Sequence, residues 1–376
     1  MPSNGRALVF LAVYVATVLY ICLYPWEFNW SRHVYPLMWL PLNSRFEILD
    51  FVLNIVLYVP VGAAACLALR GRAAGLLFAI PLGFALSFGV EWTQRFDFLR
   101  VGNLDDLTSN TLGTALGAII TALAWKKLPR SDYGGGIVLA ALWMVWNGFL
   151  LLPEFSHHAL PREGSSVAWF SSINAFAGFL ALSIAVRPHW VLPAILALAP
   201  IPALIGHPLA LVERLLAGAA ALALARLIRP RDARWLALAL LLWLAFQEFE
   251  PFRFTASNDF QWLPFVSLFP SDAAVYYPIV FEKAFFYTAI VWMLRFQGAS
   301  SQEASWIWAV AMPGVVLATG EAAQCWLPGR TPELTDLALV AGGAFLLWLA
   351  DTPQAAAPRK YVVQKNASSA LNRRGA

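Results

Sequence analysis

Long apolar runs alternate with short polar joints along almost the whole chain. A helix that crosses a bilayer needs about 17–25 mainly apolar residues. Twelve runs fit this pattern, at residues 7–24, 48–69, 73–91, 108–125, 136–152, 167–186, 189–206, 208–225, 235–249, 275–294, 304–321 and 334–350. These runs do not alternate apolar and polar residues as the strands of a membrane β-barrel do. Helices must therefore provide the backbone hydrogen bonds within the lipid. The pattern predicts an all-α fold, a polytopic integral membrane helical bundle of about 12 transmembrane helices.

Composition supports this reading and excludes a soluble core. Hydrophobic residues make up 60% of the chain and charged residues 13%, whereas a typical soluble domain is about 25% charged. The expected partner of so much apolar surface is the lipid bilayer.

The basic residues are distributed unevenly between alternate joints. Of the 26 Lys and Arg, 17 lie in one set of joints and the C-terminal tail, seven in the opposite set and two within spans. Since Lys and Arg accumulate on the cytoplasmic side, we expect both termini to be cytoplasmic. The net charge of +4 reflects this asymmetry and does not indicate a nucleic-acid partner. Residues 352–376 are expected to form a disordered basic cytoplasmic tail.

Five polar or small positions recur at a constant offset of 230 residues. Glu, Gln, Arg, Asp and Gly stand at 91, 94, 100, 106 and 113, and again at 321, 324, 330, 336 and 343. This spacing predicts an internal parallel repeat of four-helix units, at residues 1–130 and 231–351. The middle region, 131–230, is interpreted either as a degenerate repeat or as four unrelated helices.

The repeated residues form the candidate ligand-binding site. In the first copy they are Glu91, Gln94, Arg100, Asp105 and Asp106, and in the second they are Glu321, Gln324, Arg330, Glu333 and Asp336. Each set lies where two successive spans meet, on the predicted extracytoplasmic side. One interpretation is an ion-paired corner that fixes helix register. The other is a binding site, in which Arg captures a phosphate or carboxylate and the acids accept hydroxyl protons.

Three polar residues stand within predicted spans. They are Asn54 in the first copy and the neighbours Glu282 and Lys283 in the second. Ionisable groups at this depth are costly and usually face a partner or a cavity. They indicate either an ion pair between helices or a functional site.

Motifs of common enzymes are absent from the sequence. It contains no Walker loop, no GxSxG elbow and no HExxH pair, and its three cysteines have no CxxC spacing. We therefore expect no cofactor and no metal site, and the catalytic residues of any enzymatic activity are not indicated.

These motifs resemble those of the VanZ-like family of bacterial membrane proteins. The first copy carries Asp50-Phe-Val-Leu-Asn54-Ile-Val-Leu-Tyr58-Val-Pro60-Val-Gly62, Glu91-x-x-Gln94 and Asn103-x-Asp105-Asp106-x-x-x-Asn110-x-x-Gly113, and the second carries Leu327-Pro-Gly-Arg330-x-Pro-x-x-Thr335-Asp336. The resemblance implies a cell-envelope protein of the bacterial cytoplasmic (inner) membrane. The founding member of the family is linked to resistance to the glycopeptide teicoplanin.

Three functions compete at this point. The first is binding or handling of an amphipathic envelope ligand, such as a lipid-linked glycan or a glycopeptide-type molecule. The second is a transporter or lipid scramblase, which Lys283 at depth would favour. The third is an intramembrane transferase or hydrolase, with Glu321 or Asp336 as general base and Arg330 stabilising an anion.

Overall fold

The computed structural model describes most of the chain. The described residues are 4–31, 37–39, 45–69, 73–97, 102–124, 134–148, 168–186, 208–228, 232–250, 252–255, 257–268, 273–295 and 305–350. The chain forms two compact units, Met1–Ser131 and Asp132–Ala376, which are called the N-terminal and the C-terminal unit below.

The N-terminal unit contains four helices. These are α1 (Asn4–Leu23), α2 (Arg45–Ala68), α3 (Ala73–Gln94) and α4 (Leu104–Ala124). Helix α2 packs on α4, α3 and α1, and its buried face includes Tyr58, Val61 and Ala65. The outer faces are apolar too, because Leu77 and Leu123 are 73% and 77% exposed. Helices that are apolar all round suit a lipid environment.

Glycines set the close approach of α2 and α4. A Cβ atom at Gly113 would collide with the main-chain oxygen of Ile55, and one at Gly117 with that of Val59. From α2, a Cβ at Gly62 would collide with the main-chain oxygen of Thr114. The small-xxx-small pattern in the sequence predicts this packing, which brings the polar residues of α2 and α4 side by side.

The C-terminal unit contains seven helices among the described residues. These are α5 (Gly134–Gly148), α6 (Ala168–Ala185), α7 (Pro208–Ala225), α8 (Ala233–Glu248), α9 (Ala273–Arg295), α10 (Trp306–Gln324) and α11 (Thr335–Ala350), with a short 3-10 helix at Val266–Leu268. Helix α9 is central and packs against α5, α8, α10 and α11. Its inward face includes Phe285, Phe286 and Tyr287, all fully buried.

The described part of the chain is all-α, as predicted. It contains isolated bridges but no named strand. Five helices are long and apolar enough to cross a membrane, at Gly5–Leu23, Asp50–Ala68, Ala74–Gln94, Tyr276–Arg295 and Trp306–Gln324. Shorter apolar helices occupy Gly134–Gly148, Ser172–Ala185 and Thr335–Ala350. The predicted span 189–206 and the tail 352–376 lie outside the described residues, and the count of twelve spans stays a prediction.

Candidate functional site

The joint between α3 and α4 is built around a buried acid. Glu91, in the last turn of α3, is 2% exposed, and its Oε2 accepts a hydrogen bond of 2.9 Å from the main-chain nitrogen of Asn103. Gln94 lies in the same turn and donates its Nε2 to the carbonyl oxygen of Cys22 at 2.8 Å. Burying a polar or charged group is costly unless it is hydrogen-bonded, so these contacts fix where α4 begins and tie α3 to α1.

Asp106 belongs to the cap of α4 and also contacts α2. The Oδ1 of Asn103 accepts from the main-chain nitrogen of Asp106 at 2.6 Å, a typical N-cap contact. The carboxylate of Asp106 accepts from the Nδ2 of Asn103 at 2.9 Å and from the Nδ2 of Asn54 at 2.8 Å. An acid in the first turn of α4 and an amide within α2 therefore form one contact. Asp105 is half-buried in the same turn, and Arg100 lies outside the described residues.

A second polar layer lies one helical turn along from this contact. Tyr58 follows Asn54 by four residues on α2, and Asn110 follows Asp106 by four on α4, so each pair shares a helix face. Asn110 donates its Nδ2 to the hydroxyl of Ser87 on α3 at 3.0 Å. The Asn110 Oδ1 is buried without a hydrogen-bond partner among the described residues, and the buried Tyr58 hydroxyl lies against Ser87 without reaching hydrogen-bond geometry.

The C-terminal unit holds an ion-paired lysine on α9. The Nζ of Lys283 lies 2.8 Å from Glu248 Oε1 and 2.9 Å from Asp336 Oδ1. Tyr287 donates its hydroxyl to Asp336 Oδ2 at 2.6 Å. The side chains of the two acids are 8% and 1% exposed, whereas that of Lys283 is 26% exposed. A buried charge of this kind requires a paired and hydrogen-bonded environment.

A second buried acid fixes the joint between α10 and α11. Glu321 is 4% exposed, and its Oε2 accepts from the main-chain nitrogen of Glu333 at 3.0 Å. The Glu333 carboxylate in turn accepts from the main-chain nitrogen of Ser267 at 3.0 Å, from its hydroxyl at 2.9 Å, and from the hydroxyl of Thr335. Glu333 therefore connects the start of α11 to the segment before α9.

Gln324 and Arg330 both bind the end of α8. Gln324 donates its Nε2 to Glu248 Oε2 at 2.6 Å. Arg330 donates its Nε to the carbonyl of Glu250 and its Nη2 to the carbonyl of Gln247, each at 2.9 Å. Carbonyls at a helix C-terminus lack partners within the helix and carry partial negative charge. Two donors of Arg330 are therefore engaged by the protein's own backbone.

Glu282 and Lys283 are neighbours in sequence but contact different helices. Glu282 accepts from the Nδ2 of Asn174 on α6 at 2.6 Å. The Oδ1 of Asn174 accepts from Trp243 Nε1 at 2.8 Å and from Gln247 Nε2 at 3.1 Å. The two charged side chains therefore serve separate networks, and Glu282 belongs to one that joins α6, α8 and α9.

The sequence motifs do not predict a role for Glu248, although it contacts Lys283. The residue 226 positions earlier is Cys22, so a search for identical residues at a fixed offset passes over Glu248. The indicative signal is the pair of segments Pro25-x-x-Phe28 and Pro251-x-x-Phe254, which share that offset.

Both clusters offer hydrogen-bond acceptors and donors. Among the described residues, no group of three or more His, Cys, Asp and Glu side chains could hold a metal ion. Carboxylates and amides of this kind recognise hydroxyl and amino groups.

The fold and the clusters define a membrane-type helical protein with buried carboxylates at its helix joints. The VanZ/LLP1 family model matches residues 10–125, which include most of α1 and all of α2, α3 and α4. The N-terminal unit is therefore VanZ-like, as the sequence motifs predict. The match does not extend to residues 231–351, so the second copy stays a prediction. No curated protein and no solved structure matches the chain.

Proposed function

We propose that this protein binds an amphipathic envelope ligand through two VanZ-like units, with the ligand head at the carboxylate clusters and its anchor against the apolar helices. The ligand class is a lipid-linked glycan or a glycopeptide-type molecule, at the extracytoplasmic face of a bacterial inner membrane. The observation that carries the proposal is the buried acid at the same helix joint in each unit, Glu91 and Glu321.

Matched contacts support a duplication behind the two clusters. The acids at 91 and 321 accept from main-chain nitrogens twelve residues later, in both cases through Oε2. The parallel bridge Met38–Asn103 has a counterpart in Gln261–Glu333. Asn103 and Glu333 stand at the offset of 230, and Met38 and Gln261 each directly precede a Trp-Leu-Pro segment. These contacts therefore favour two copies of one unit over two unrelated helical corners.

A shared turn supports the same duplication. Trp26 has φ 70° and Phe252 has φ 59°, and each donates its main-chain nitrogen to a carbonyl three residues earlier, those of Leu23 and Phe249. Non-glycine residues rarely adopt positive φ. Its occurrence just after α1 and again just after α8, at the offset of 226, indicates equivalent segments.

The charges in the clusters favour a ligand head rich in hydrogen-bond donors. Glu91, Asp106, Glu321 and Asp336 are acceptors, whereas two donors of Arg330 are engaged by backbone carbonyls. Hydroxyl and amino groups of a sugar or peptide match such acceptors, because hydrogen bonds to charged groups are roughly twice as strong as neutral ones. This replaces anion capture by Arg330 as the basis of recognition.

Crosslinking to a lipid probe tests this proposal. The full-length chain in nanodiscs is exposed to a polyprenyl-phosphate-linked amino sugar that carries a photoactivatable group. Glu91→Gln and Glu321→Gln each keep an oxygen for the main-chain contact but remove the charge. A hydrogen bond to a charged group contributes about 1.5–3 kcal/mol, so we expect crosslinking in the double variant to fall by about tenfold or more.

The matched control for this experiment is Glu213→Gln. Glu213 is an exposed glutamate on α7 that accepts from the hydroxyl of Ser172 at 2.9 Å. Crosslinking should be unchanged in this variant. Equal crosslinking by the wild type and the Glu91→Gln, Glu321→Gln double variant would contradict the proposal.

A transporter or scramblase is the second candidate, because Lys283 combines a position inside α9 with a 26% exposed side chain. Charged residues in membrane helices commonly mark pathways. Proteoliposome flux of the same lipid probe that is present in the wild type and lost in Lys283→Met protein that remains folded would favour this function. Binding without flux would favour the first.

A further inference from the structure

The two units differ at one pair of matched positions in the polar cluster. The C-terminal unit has Lys283 and Glu248, which form an ion pair of 2.8 Å. The N-terminal unit has Asn54 and Cys22 in their place, aligned by Tyr58 and Tyr287 four residues later and by the glutamines that contact Cys22 and Glu248. Both members of the ion pair are therefore replaced together.

Asp106 is retained in the N-terminal unit although the lysine is not. In the C-terminal unit Asp336 accepts from the ammonium of Lys283 at 2.9 and 3.1 Å. Asp106 instead accepts at its two oxygens from the side-chain amides of Asn54 and Asn103, and from no ammonium or guanidinium among the described residues. The acid is conserved between units while its cationic partner is lost.

The two units also differ in the polar layer of Tyr58, Ser87 and Asn110, one helical turn along from Asp106. In the C-terminal unit the matched positions of Ser87 and Asn110 are Leu317 and Val340, both buried, and Tyr287 donates to Asp336. In the N-terminal unit the buried Asn110 Oδ1 has no hydrogen-bond partner among the described residues, and the buried Tyr58 hydroxyl lies against Ser87 without reaching hydrogen-bond geometry. Leaving buried polar atoms without a partner is costly, and nearly all such atoms in proteins are satisfied.

We propose that the N-terminal unit binds the primary ammonium group of its ligand at Asp106, at the place that the ammonium of Lys283 occupies in the C-terminal unit. An ammonium carries three N–H donors, and the acceptors nearby are the Asp106 carboxylate, the Tyr58 hydroxyl and the Asn110 Oδ1. Asn54 and Asp106 are half-buried and Tyr58 and Asn110 are buried, so the ligand reaches the polar layer from the Asp106 end. The inference rests on the proposed binding function and names the chemistry of one of its two sites.

Lipid selectivity measured by native mass spectrometry tests this assignment. The full-length chain is exchanged into micelles that contain equal amounts of phosphatidylethanolamine, which carries a primary ammonium, and phosphatidylglycerol, which carries hydroxyls instead. We expect the wild type to retain phosphatidylethanolamine about tenfold over phosphatidylglycerol. Asp106→Asn should abolish this preference, whereas Glu27→Gln, at an exposed acid of the same unit, should keep it.

A second variant introduces the ion pair of the C-terminal unit into the N-terminal unit and tests the assignment more directly. Asn54→Lys with Cys22→Glu places an internal ammonium beside Asp106, in the arrangement that the C-terminal unit already tolerates. This double variant should fold, which its thermal unfolding checks, and should lose the preference for phosphatidylethanolamine. A preference that persists in the folded double variant, or in Asp106→Asn, would overturn the assignment.

Two further measurements are made. Binding of free ethanolamine shows whether the ammonium comes from a lipid or from a soluble amine, and crosslinking of the polyprenyl probe shows whether a negative result contradicts this assignment alone or the proposed function as well. Free ethanolamine that binds the wild type but not Asp106→Asn, with no lipid preference, would assign the site to a soluble amine. Equal retention of the two lipids without ethanolamine binding would overturn the ammonium assignment, and crosslinking of the polyprenyl probe would still support the proposed function. Absence of both lipid retention and crosslinking would contradict both proposals.

Discussion

The Nζ of Lys283 lies 2.9 Å from the Oδ1 of Asp336, and this contact joins α9 to α11 in the interior of the C-terminal unit. The same nitrogen lies 2.8 Å from Glu248 Oε1 on α8. One lysine thus connects three helices, and its partners come from widely separated parts of the sequence.

Removal of the lysine alone is predicted to destabilise the protein strongly. Lys283→Met leaves Glu248 and Asp336 without their cation, and breaking a buried pair costs about 3–5 kcal/mol. Thermal unfolding in detergent should therefore show a lower Tm. Lys283→Asn with Glu248→Cys, which reproduces the N-terminal arrangement, should recover much of the loss. A Tm for Lys283→Met equal to that of the wild type would show that the ion pair contributes nothing.

Glycine in α4 is predicted to be essential for folding of the N-terminal unit. Gly113→Leu would drive its side chain into the main chain of Ile55, and overpacking costs about 1–3 kcal/mol or more. The monodisperse fraction in size-exclusion chromatography should fall sharply. Gly89→Ala is the control, because a Cβ there meets nothing within 4 Å. Equal behaviour of the two variants would contradict the packing of α2 on α4.

Arg330 is predicted to act on stability more than on recognition. Arg330→Ala removes two donors from the carbonyls of Gln247 and Glu250, which should lower the free energy of unfolding by about 1–3 kcal/mol. Crosslinking to the lipid probe should persist in the protein that remains folded. Arg253→Ala, at an exposed arginine, should change neither quantity. Loss of crosslinking at unchanged stability would instead show that Arg330 binds the ligand.

The orientation is testable with single cysteines in a chain whose native cysteines are replaced by serine. Trp30→Cys and Trp326→Cys, at 65% and 57% exposed positions near the two clusters, should react with an impermeant thiol reagent in intact cells. Leu227→Cys, 78% exposed in the joint after α7, should react only after lysis. The reverse pattern would place the clusters on the cytoplasmic side.

Residue types that recur at fixed spacing could be predicted from the sequence, and contacts that depend on the backbone could not. Identical residues 230 positions apart predict Glu91 and Glu321 as site residues, and the apolar runs predict the all-α fold. Glu248 escapes prediction because Cys22, which the proposed repeat aligns with it, differs in type and stands at another offset. The role of Arg330 was not predictable, since its acceptors are carbonyl oxygens that no residue type encodes.

The sequence also could not separate Glu282 from Lys283. Adjacent residues on a helix project about 100° apart, but which neighbour each meets depends on how α6, α8 and α11 surround α9. Asn174, which binds Glu282, comes from the middle region, where the sequence predicts at most a degenerate repeat. Its contact arises from tertiary packing alone.

Cryo-electron microscopy of the full-length chain in nanodiscs with the polyprenyl-linked amino sugar tests the central claim most directly. The account predicts density for the probe's head group within hydrogen-bond distance of a carboxylate cluster, at Glu91 and Asp106 or at Glu321 and Asp336, with its chain along the apolar helices. Head-group density confined to other parts of the surface, with all four acids contacting only protein, would contradict it.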